Sequence, residues 1–436
     1  MWAEESVFYQ IYPLGFCGAP FENDAKEENR IKKVADWIPH MKRLGVNAIY
    51  FSPVFESDTH GYNTRDYQKI DCRLGSNEEF KKVCEVLHKE DIRIVLDGVF
   101  NHVGRGFFAF QDVIQNREQS KYVNWFYINM QGNSSYNDGF YYEGWEGNYD
   151  LVKLNLQNEE VVEYLLESVK FWISYFNIDG IRLDVAYCLD REFMRRLRST
   201  CDGLKEDFFL VGEMIHGDYR ELVKPDMLHS ATNYECYKGL YSSFNSMNMF
   251  EINHSLLRQF GEEGQAIYKG MHLLSFVDNH DVSRIASTLS NSSHLPLIYA
   301  VLFGMPGIPC IYYGSEWGAS GDKKDGDQAL RVSYEEPVFN ELSEWISKLT
   351  VIRKESKALC YGSFRSVFLT NKQCIMERSF EGERILIAIN ADSVEFDANF
   401  NPGCATLWDM TNNIEETVKD GRIRMTGYSA KFYLCS

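Results

Sequence analysis

The sequence lacks the features that mark membrane-spanning, exported and nucleic-acid-binding proteins. No stretch approaches the roughly 18 consecutive apolar residues of a transmembrane helix, and residues 1–5 have neither the basic start nor the apolar core of a signal peptide. Lys and Arg (45) are outnumbered by Asp and Glu (63), which gives a net charge of −18, and they form no cluster that could neutralise phosphates. We therefore expect a cytoplasmic protein with no membrane or nucleic-acid partner.

Paired cysteine motifs are also missing. The chain has 11 cysteines, an odd number, and none of them stands in a CxxC pair. Disulfide scaffolds and cysteine zinc sites rely on paired or closely spaced cysteines, so neither is expected here. The pattern favours buried thiols in a reducing compartment.

Strand and helix patterns alternate through most of the chain. Its 436 residues, 44% hydrophobic and 25% charged, suit a globular protein with one large domain and an appendage. Helices such as 29–44, 159–176 and 218–223 separate short apolar runs that indicate buried parallel strands. The eight predicted strands are 6–12, 48–51, 92–100, 178–185, 208–212, 228–233, 273–277 and 308–313. This order predicts an α/β fold, a (β/α)₈ TIM barrel.

Two segments interrupt the alternation. Residues 104–155 are rich in Tyr, Trp, Asn and Gly without a helical period, which predicts a small inserted domain that carries substrate contacts. Residues 358–436 have a strand-like pattern punctuated by Gly and Asn, which predicts a C-terminal antiparallel β-sandwich. Residues 1–103 and 156–357 would then form the barrel.

Polar residues mark the ends of four predicted strands. Arg182 and Asp184 interrupt the apolar run 178–185, and because they are two residues apart they point to the same side of the strand. The other three stretches are 97–102, 212–213 and 278–281. Catalytic side chains gather at the carboxyl ends of barrel strands, so we expect one shared pocket.

Three carboxylates would face each other in that pocket: Asp184, Glu213 and Asp281. Glycoside hydrolysis requires an acid that protonates the leaving oxygen and a carboxylate that attacks or stabilises an oxocarbenium-like carbon. Arg182 would keep Asp184 ionised. Two neighbouring anions would raise the pKa of Glu213 and keep it protonated. These residue types therefore predict a glycosidase.

The four stretches resemble the conserved regions of the α-amylase family, glycoside hydrolase family 13. The motifs DxVxNH, GxRxD, a Glu after an apolar strand, and NHD occur in the family's order. Further similarity covers essentially the whole barrel, at Tyr9-Gln10-Ile11-Tyr12-Pro13, His60-Gly61-Tyr62, Gly307-Ile308-Pro309 and Tyr312-Tyr313-Gly314. The resemblance implies a retaining hydrolase of α-glucans.

The resemblance also implies a role for each matching residue. Asp184 matches the nucleophile, Glu213 the general acid/base, and Asp281 the third carboxylate, which holds sugar hydroxyls. The implied substrate-binding residues are Arg182, which orients the nucleophile, His102 and His280, which bond to hydroxyls, and Tyr62, which stacks on the sugar. Retention of configuration predicts that the carboxyl groups of Asp184 and Glu213 are roughly 5 to 5.5 Å apart.

Lys153-Leu154-Asn155 is similar to a segment of the neopullulanase, cyclomaltodextrinase and maltodextrin-hydrolase branch. We add Lys153 and His216 to the substrate-binding candidates. Two features depart from that branch, because Tyr187 replaces its usual Asn and the first barrel strand starts at about Ser6 without the branch's N-terminal domain. Asn63 replaces an Asp of exo-acting α-glucosidases, which disfavours an exo-glucosidase.

The sequence as a whole predicts an α-amylase-type enzyme that cleaves α-1,4 bonds of maltooligosaccharides through a glycosyl-aspartate intermediate. The alternatives are a transglycosylase or sugar isomerase of the same family and, from another class, a non-catalytic glucan-binding protein. No cofactor is required. A structural calcium ion at Asn101 is an open alternative, and the sequence leaves the oligomeric state and the preferred chain length undetermined.

Overall fold

A parallel barrel forms the body of the chain. The computed structural model describes residues 1–262 and 266–435. Within these residues eight strands pair in parallel in the order 6-5-4-3-2-1-8-7, and a bridge between Thr232 and Leu274 joins the two ends. In chain order the strands are Phe8–Ile11, Ala48–Phe51, Arg93–Gly98, Gly180–Leu183, Phe209–Gly212, Ser230–Ala231, Leu274–Phe276 and Ile308–Tyr312. The predicted (β/α)₈ barrel is confirmed.

Side chains alternate between the inside and the outside of the barrel. Phe8 and Val95 belong to the buried apolar cluster within the barrel. Two residues further along the same strands, Gln10 and Asp97 are polar and buried. Because successive side chains on a strand point to opposite faces, each of these polar groups lies one layer above an apolar one. The barrel interior thus changes from apolar to polar toward the carboxyl ends of its strands.

Helices cover the outside of the barrel, with some differences from the predicted bounds. The α-helices are Pro13–Phe16, Lys33–Asp36, Ile38–Leu44, Asn77–Lys89, Phe108–Asn116, Glu159–Phe171, Arg191–Leu204, Tyr234–Asn245, Phe250–Phe260, Ile285–Thr288, Leu295–Gly304, Glu341–Glu355 and Lys357–Tyr361. The helix predicted at 29–44 is split at Trp37, because Pro39 fits only the first turn of a helix. The helix predicted at 218–223 is a single 3₁₀ turn, Tyr219–Glu221.

The segment after the third strand folds back over the barrel rim. It contains the helix Phe108–Asn116, whereas the sequence showed no helical period there. Strand Asn148–Lys153 pairs antiparallel with His102–Val103 and with Gly144–Trp145. Two further short strands, Ile128–Asn129 and Tyr141–Tyr142, pair with each other. Before this segment, Phe55–Ser57 and Thr64–Ile70 form another antiparallel pair.

The C-terminal region is antiparallel, as predicted. The strands Ser363–Leu369, Gln373–Phe380, Glu383–Asn390, Thr406–Asp409, Ile414–Thr417 and Ser429–Cys435 form one sheet, and Phe396–Ala398 pairs with Ile423–Met425. An apolar cluster that includes Leu386, Ala398 and Met425 packs the two sheets together. The region begins one helix later than the predicted boundary, since Lys357–Tyr361 is helical. No helix in the described part of the chain is long and apolar enough to span a membrane.

Candidate active site

One arginine holds three carboxyl groups at the rim of the barrel. Arg182, on the fourth strand, contacts Asp184 Oδ1 through Nη1 at 2.8 Å and Glu213 Oε1 through Nη2 at 2.7 Å. Its Nη1 also lies 3.0 Å from both carboxyl oxygens of Asp97, on the third strand. All four side chains are buried. The structure therefore brings together the predicted Asp184, Glu213 and Arg182, and adds Asp97 from the predicted polar stretch 97–102.

Backbone strain occurs directly beside this centre. Val185 follows Asp184 and has a φ of 38°, an unusual conformation for a β-branched residue. In this conformation its backbone N–H donates to Glu213 Oε2 at 3.0 Å. Such strain costs on the order of 1–3 kcal/mol and persists where the surrounding structure enforces it, often at functional sites.

Burial dominates the protonation of the carboxyl groups around Arg182. It raises the pKa of Asp184 to about 7, although Arg182 lowers it, and Glu213 raises it further. Burial likewise raises the pKa of Asp97 to about 7 and raises the pKa of Glu213 above its usual range. The sequence-based expectation that Arg182 keeps Asp184 ionised is therefore only half right, because one guanidinium is shared among three buried acids.

The third predicted carboxylate has different neighbours. Asp281 Oδ1 lies 3.0 Å from Arg331 Nη2, and Asp281 Oδ2 lies 3.0 Å from His280 Nε2. Burial raises the pKa of Asp281, but His280 and Arg331 outweigh it and lower the pKa below the usual range. Gln10 Nε2 donates to His280 Nδ1 at 2.8 Å. This contact leaves the proton of neutral His280 on Nε2, the atom that lies next to both Asp281 Oδ2 and the Tyr62 hydroxyl.

Two further predicted residues border the same space. Tyr62 contacts His280 Nε2 through its hydroxyl and also donates to Asp97 Oδ2 at 3.2 Å. Asn101 Nδ2 donates to His102 Nδ1 at 3.1 Å, which places the proton of neutral His102 on Nε2. His102 Nε2 has no partner among the described residues although it is buried, and it lies 3.9 Å from Asp184 Oδ2. A buried N–H without a partner next to the nucleophile candidate is available to a substrate hydroxyl.

These side chains surround a cleft of about 470 Å³, within the usual range for ligand sites. Its lining residues are His60, Tyr62, His102, Trp145, Leu151, Asp184, Val185, Glu213, Ile215, Tyr234, Asp281, Val282, Lys323, Asp327 and Arg331. Trp145 and Leu151 come from the segment that folds back over the rim. The predicted inserted region thus supplies one wall of the cleft.

Two predicted substrate-binding residues lie elsewhere. Lys153 is part of the folded-back segment, and its Nζ pairs with Glu143 Oε2 at 3.2 Å, with both side chains more than a third exposed. His216 lines a neighbouring hollow and packs against Tyr187, with ring centroids 4.8 Å apart. Neither residue lines the cleft that contains the three carboxylates.

Several cleft residues were not among the predicted site residues. Arg331, which bonds to Asp281, follows the eighth strand in a polar stretch without a recognisable pattern. Tyr234 accepts from Asn279 Nδ2 at 3.0 Å. Tyr50 is not part of the cleft lining, but it donates to Asp97 Oδ2 at 3.0 Å. Tyr50, which lies on the predicted second strand in phase with the inward positions, could have been found from strand alternation.

The contacts around Asn101 leave the calcium site a prediction. The Asn101 amide bonds to His102, as described above. Two acids of the inserted segment that could have joined Asn101 have local contacts of their own, because Asp112 accepts from Asn116 and Asp150 accepts from Tyr136. Among the described residues, one grouping of acids and thiols has the spacing of a metal site, namely Glu56, Asp71 and Cys72. Arg73 bonds to Asp71 there, which disfavours a cation.

Comparison with known proteins identifies the family. A family model described as alpha amylase, catalytic domain, matches residues 10–343. The chain belongs to the alpha-amylase family of glycoside hydrolases. It is 31% identical over 411 residues to a cyclomaltodextrinase of Thermoanaerobacter pseudethanolicus, an alignment that covers 90% of this chain and 71% of that protein. It is also 29% identical over 381 residues to an intracellular maltogenic amylase of Bacillus subtilis, covering 82% and 63%.

Solved structures agree with this assignment. The chain is similar to a cyclic alpha-maltosyl-(1→6)-maltose hydrolase of Arthrobacter globiformis, with a TM-score of 0.85, 26% identity and full coverage of both chains. The predicted family, fold and cyclomaltodextrinase branch are thus confirmed for this alpha-amylase family member.

Proposed function

We propose that the protein is a retaining hydrolase that cleaves α-1,4-glucosidic bonds of maltooligosaccharides. The observation that carries the proposal is the contact of one buried guanidinium, Arg182, with both Asp184 at 2.8 Å and Glu213 at 2.7 Å. Two carboxyl groups held close together on one side of a cleft suit a nucleophile and a general acid acting on the same bond. Asp281 faces the same cleft.

The first step transfers the sugar to the protein. Asp184, as a carboxylate, attacks the anomeric carbon, while the Glu213 carboxylic acid gives its proton to the glycosidic oxygen, which leaves as an alcohol. Burial raises the pKa of Glu213, which favours its protonated form. Arg182 offsets part of the burial cost of ionising Asp184.

The second step returns the protein to its starting state. Glu213, now a carboxylate, takes a proton from a water molecule, and the oxygen of that water attacks the anomeric carbon and displaces Asp184. Two displacements at the same carbon retain its configuration. The strained Val185 N–H, which bonds to Glu213 Oε2, fixes the orientation of this carboxyl group through both steps.

The remaining cleft residues hold the sugar ring. The Nε2–H of His102 has no partner among the residues that the structure describes and would donate to a ring hydroxyl. Asp281, whose pKa is lowered, is ionised at neutral pH and would accept from hydroxyls. Tyr62 stacks on His280 with an interplanar angle of 9°, and its other face would pack on the sugar.

The relatives narrow the proposed substrate class. The compared proteins are named for action on cyclomaltodextrins, maltose-producing cleavage and a cyclic maltosyl-maltose. We accordingly assign short α-glucans, linear or cyclic, as substrates. The intracellular relative, together with the cysteine pattern, supports a location inside the cell.

Incubation with maltoheptaose tests the proposal. Chromatography should show shorter maltooligosaccharides, and NMR taken early in the reaction should show products in the α configuration. Unshortened maltoheptaose, or products that first appear as β anomers, would contradict it. Products longer than the substrate would instead indicate glycosyl transfer. Parallel reactions with a cyclic and a branched glucan define which linkages are accepted.

A further inference from the structure

Two cysteine side chains meet at one end of the C-terminal sheet. Both of these thiols, Cys404 and Cys435, are free and only partly buried, whereas eight of the other nine cysteines are buried. We propose that Cys404 and Cys435 form a reversible disulfide bond under mild oxidation, so that the C-terminal region carries a redox-sensitive modification site. This inference does not depend on the reaction proposed for the barrel cleft.

The pairing of the strands fixes the position of Cys435. In the strand Ser429–Cys435, this residue pairs with Leu407 of one neighbouring strand. On the other side, the strand Glu383–Asn390 pairs in a register that puts Arg384 opposite Cys435. Directly opposed residues point to the same face of a sheet, and Cys435 and Leu407 both contact the apolar cluster between the two C-terminal sheets. Cys435 therefore has a defined neighbour on each side.

Arg384 brings the other cysteine to the same place. Its Nη1 donates to the carbonyl oxygen of Pro402 at 2.5 Å, which ties the loop before Cys404 to the strand of Arg384. Gly403 turns the chain there with a φ of 80°, a left-handed conformation that favours glycine. Cys404 packs against the same apolar cluster as Cys435, and the two thiols are within hydrogen-bonding reach of each other. The fold thus places the two sulfur atoms side by side.

The oxidation is an exchange with a small-molecule disulfide such as oxidised glutathione. The Cys404 thiolate attacks one sulfur of that disulfide, so a mixed disulfide forms and one small thiolate leaves. Cys435 then loses its proton and attacks Cys404 Sγ, which displaces the second small thiolate. The protein dithiol is oxidised, the small disulfide is reduced to two thiols, and the leaving thiolates take up the two protons that the cysteines release.

The surroundings of Cys435 decide the order of attack. Burial raises the pKa of Cys435 to about 12, although Arg384 lowers it. Because the thiolate is the nucleophile and Cys435 stays protonated at neutral pH, the first attack falls to Cys404. Disulfides of cytosolic proteins are usually transient, which suits a pair that is open under reducing conditions and closes on oxidation.

The bond would stabilise the C-terminal region. It closes a loop that contains the strands Thr406–Asp409 and Ile414–Thr417 and so restricts the unfolded chain. For a loop of about 30 residues in a chain of this size, Tm should rise by about 4 °C.

Peptide mapping of the full chain tests the proposal. The reduced protein is incubated with oxidised glutathione without denaturant, quenched with acid, blocked with N-ethylmaleimide and digested with trypsin without reduction. Trypsin cleaves after Lys and Arg, so it places Cys404 on the peptide 385–419 and Cys435 on a peptide that begins at Phe432. We expect mass spectrometry to show these two peptides joined, dithiothreitol to separate them, and the oxidised protein to have the higher Tm.

The test variants are Cys404→Ser and Cys435→Ser, and the matched control is Cys188→Ser, at a free cysteine that is more exposed than either. Each test variant should lose both the linked peptides and the rise in Tm, whereas the control should keep both. The inference is overturned if the unaltered protein gives no linked peptides, gives them only after urea is added, or links Cys404 to a different cysteine.

Discussion

The two sides of the cleft use the same residue types under opposite electrostatic conditions. On one side, Arg182 is shared by Asp97, Asp184 and Glu213, and all four side chains are at most 8% exposed. On the other side, Arg331 pairs with Asp281 and Asp327, whose side chains are 36% and 46% exposed. Three buried acids for one cation raise pKa values, whereas a solvated acid with a cation and a His donor has its pKa lowered.

This difference separates two kinds of carboxyl group. An acid that must gain and lose a proton during the reaction benefits from a pKa above the usual carboxyl range, and burial raises the pKa of Glu213 in this way. An acid that must only accept hydroxyl groups works best when it is always ionised. Glu213, on the Arg182 side, meets the first requirement and Asp281 meets the second, so the most harmful substitution is expected at Glu213.

The largest effect is expected on the Arg182 side of the cleft. Glu213→Gln keeps the shape of the side chain but removes its proton, so kcat with maltoheptaose should fall by about 10²- to 10⁴-fold. The activity should be lower at every pH, since no other group can replace the acid. As a control, circular dichroism should show an unchanged fold. Turnover equal to that of the unaltered protein would mean that another site performs the reaction.

Removing each arginine tests the difference in stability between the two sides. Arg182→Ala leaves three buried carboxyl groups without their cation and should lower the free energy of unfolding by about 3–5 kcal/mol. Arg331→Ala removes a side chain that is only 10% exposed, but its partners Asp281 and Asp327 can be solvated, so the variant should cost less, about 1.5–3 kcal/mol. Urea denaturation at pH 7 measures both values. Equal losses for the two variants would show that burial does not distinguish the two sides.

The pH dependence of stability should have opposite signs in two isosteric variants. The raised pKa of Asp184, about 7, means that its favourable contribution is fully present below the unfolded value of about 3.9 and is lost as the pH rises through 7. Asp184→Asn should therefore be more stable than the unaltered protein at pH 8, and the gain should disappear toward pH 4.

Asp281→Asn should change stability with pH in the opposite direction to Asp184→Asn. Since the pKa of Asp281 is lowered, its contribution is present above about pH 3.9 and is lost as the pH falls through the folded value. The variant should be less stable than the unaltered protein at pH 8, by a smaller amount because the carboxyl group is partly solvated. Urea denaturation at pH 5 and pH 8 measures both variants, and shifts of the same sign would contradict the comparison.

The sequence predicted which polar residues lie at the strand ends better than it predicted the pKa values of those residues. Alternation on the fourth strand put Arg182 and Asp184 on one side, and that side does face the cleft. The pKa of Asp184 could not be predicted, because it depends on Asp97 and Glu213 reaching the same guanidinium from two other strands. A local pattern shows which face a residue occupies but not how many groups from distant strands share one partner.

The periodicity of the sequence also could not predict contacts between loops. Arg331 meets Asp281 from a position 50 residues further along the chain. The left-handed conformation of Val185 has no sequence signal, because a β-branched residue argues against it. Likewise, nothing in the spacing of the inserted segment showed which side chains of strand Asn148–Lys153 turn toward the cleft.

The smallest effect is expected for a substitution of Lys153, for which the sequence motif and the position in the structure indicate different roles. Similarity to the neopullulanase branch made it a substrate-binding candidate, but its ammonium group pairs with Glu143 outside the cleft lining, and the pair is solvated. Lys153→Ala should therefore change kcat/KM for maltoheptaose less than about twofold, and the free energy of unfolding by about 0.5 kcal/mol or less.

His102→Ala is the matched comparison from the neighbouring strand, since His102 lies directly opposite Lys153 in the backbone ladder. It removes the buried Nε2–H, which is unpaired within residues 1–262 and 266–435, so kcat/KM should fall by about 10- to 100-fold, as for the loss of a hydrogen bond to a charged site. A loss of tenfold or more in Lys153→Ala would show instead that the lysine leaves Glu143 and reaches the substrate. The inserted segment would then move when substrate binds. The difference in carboxyl pKa values between the two sides of the cleft would in that case describe only the free protein.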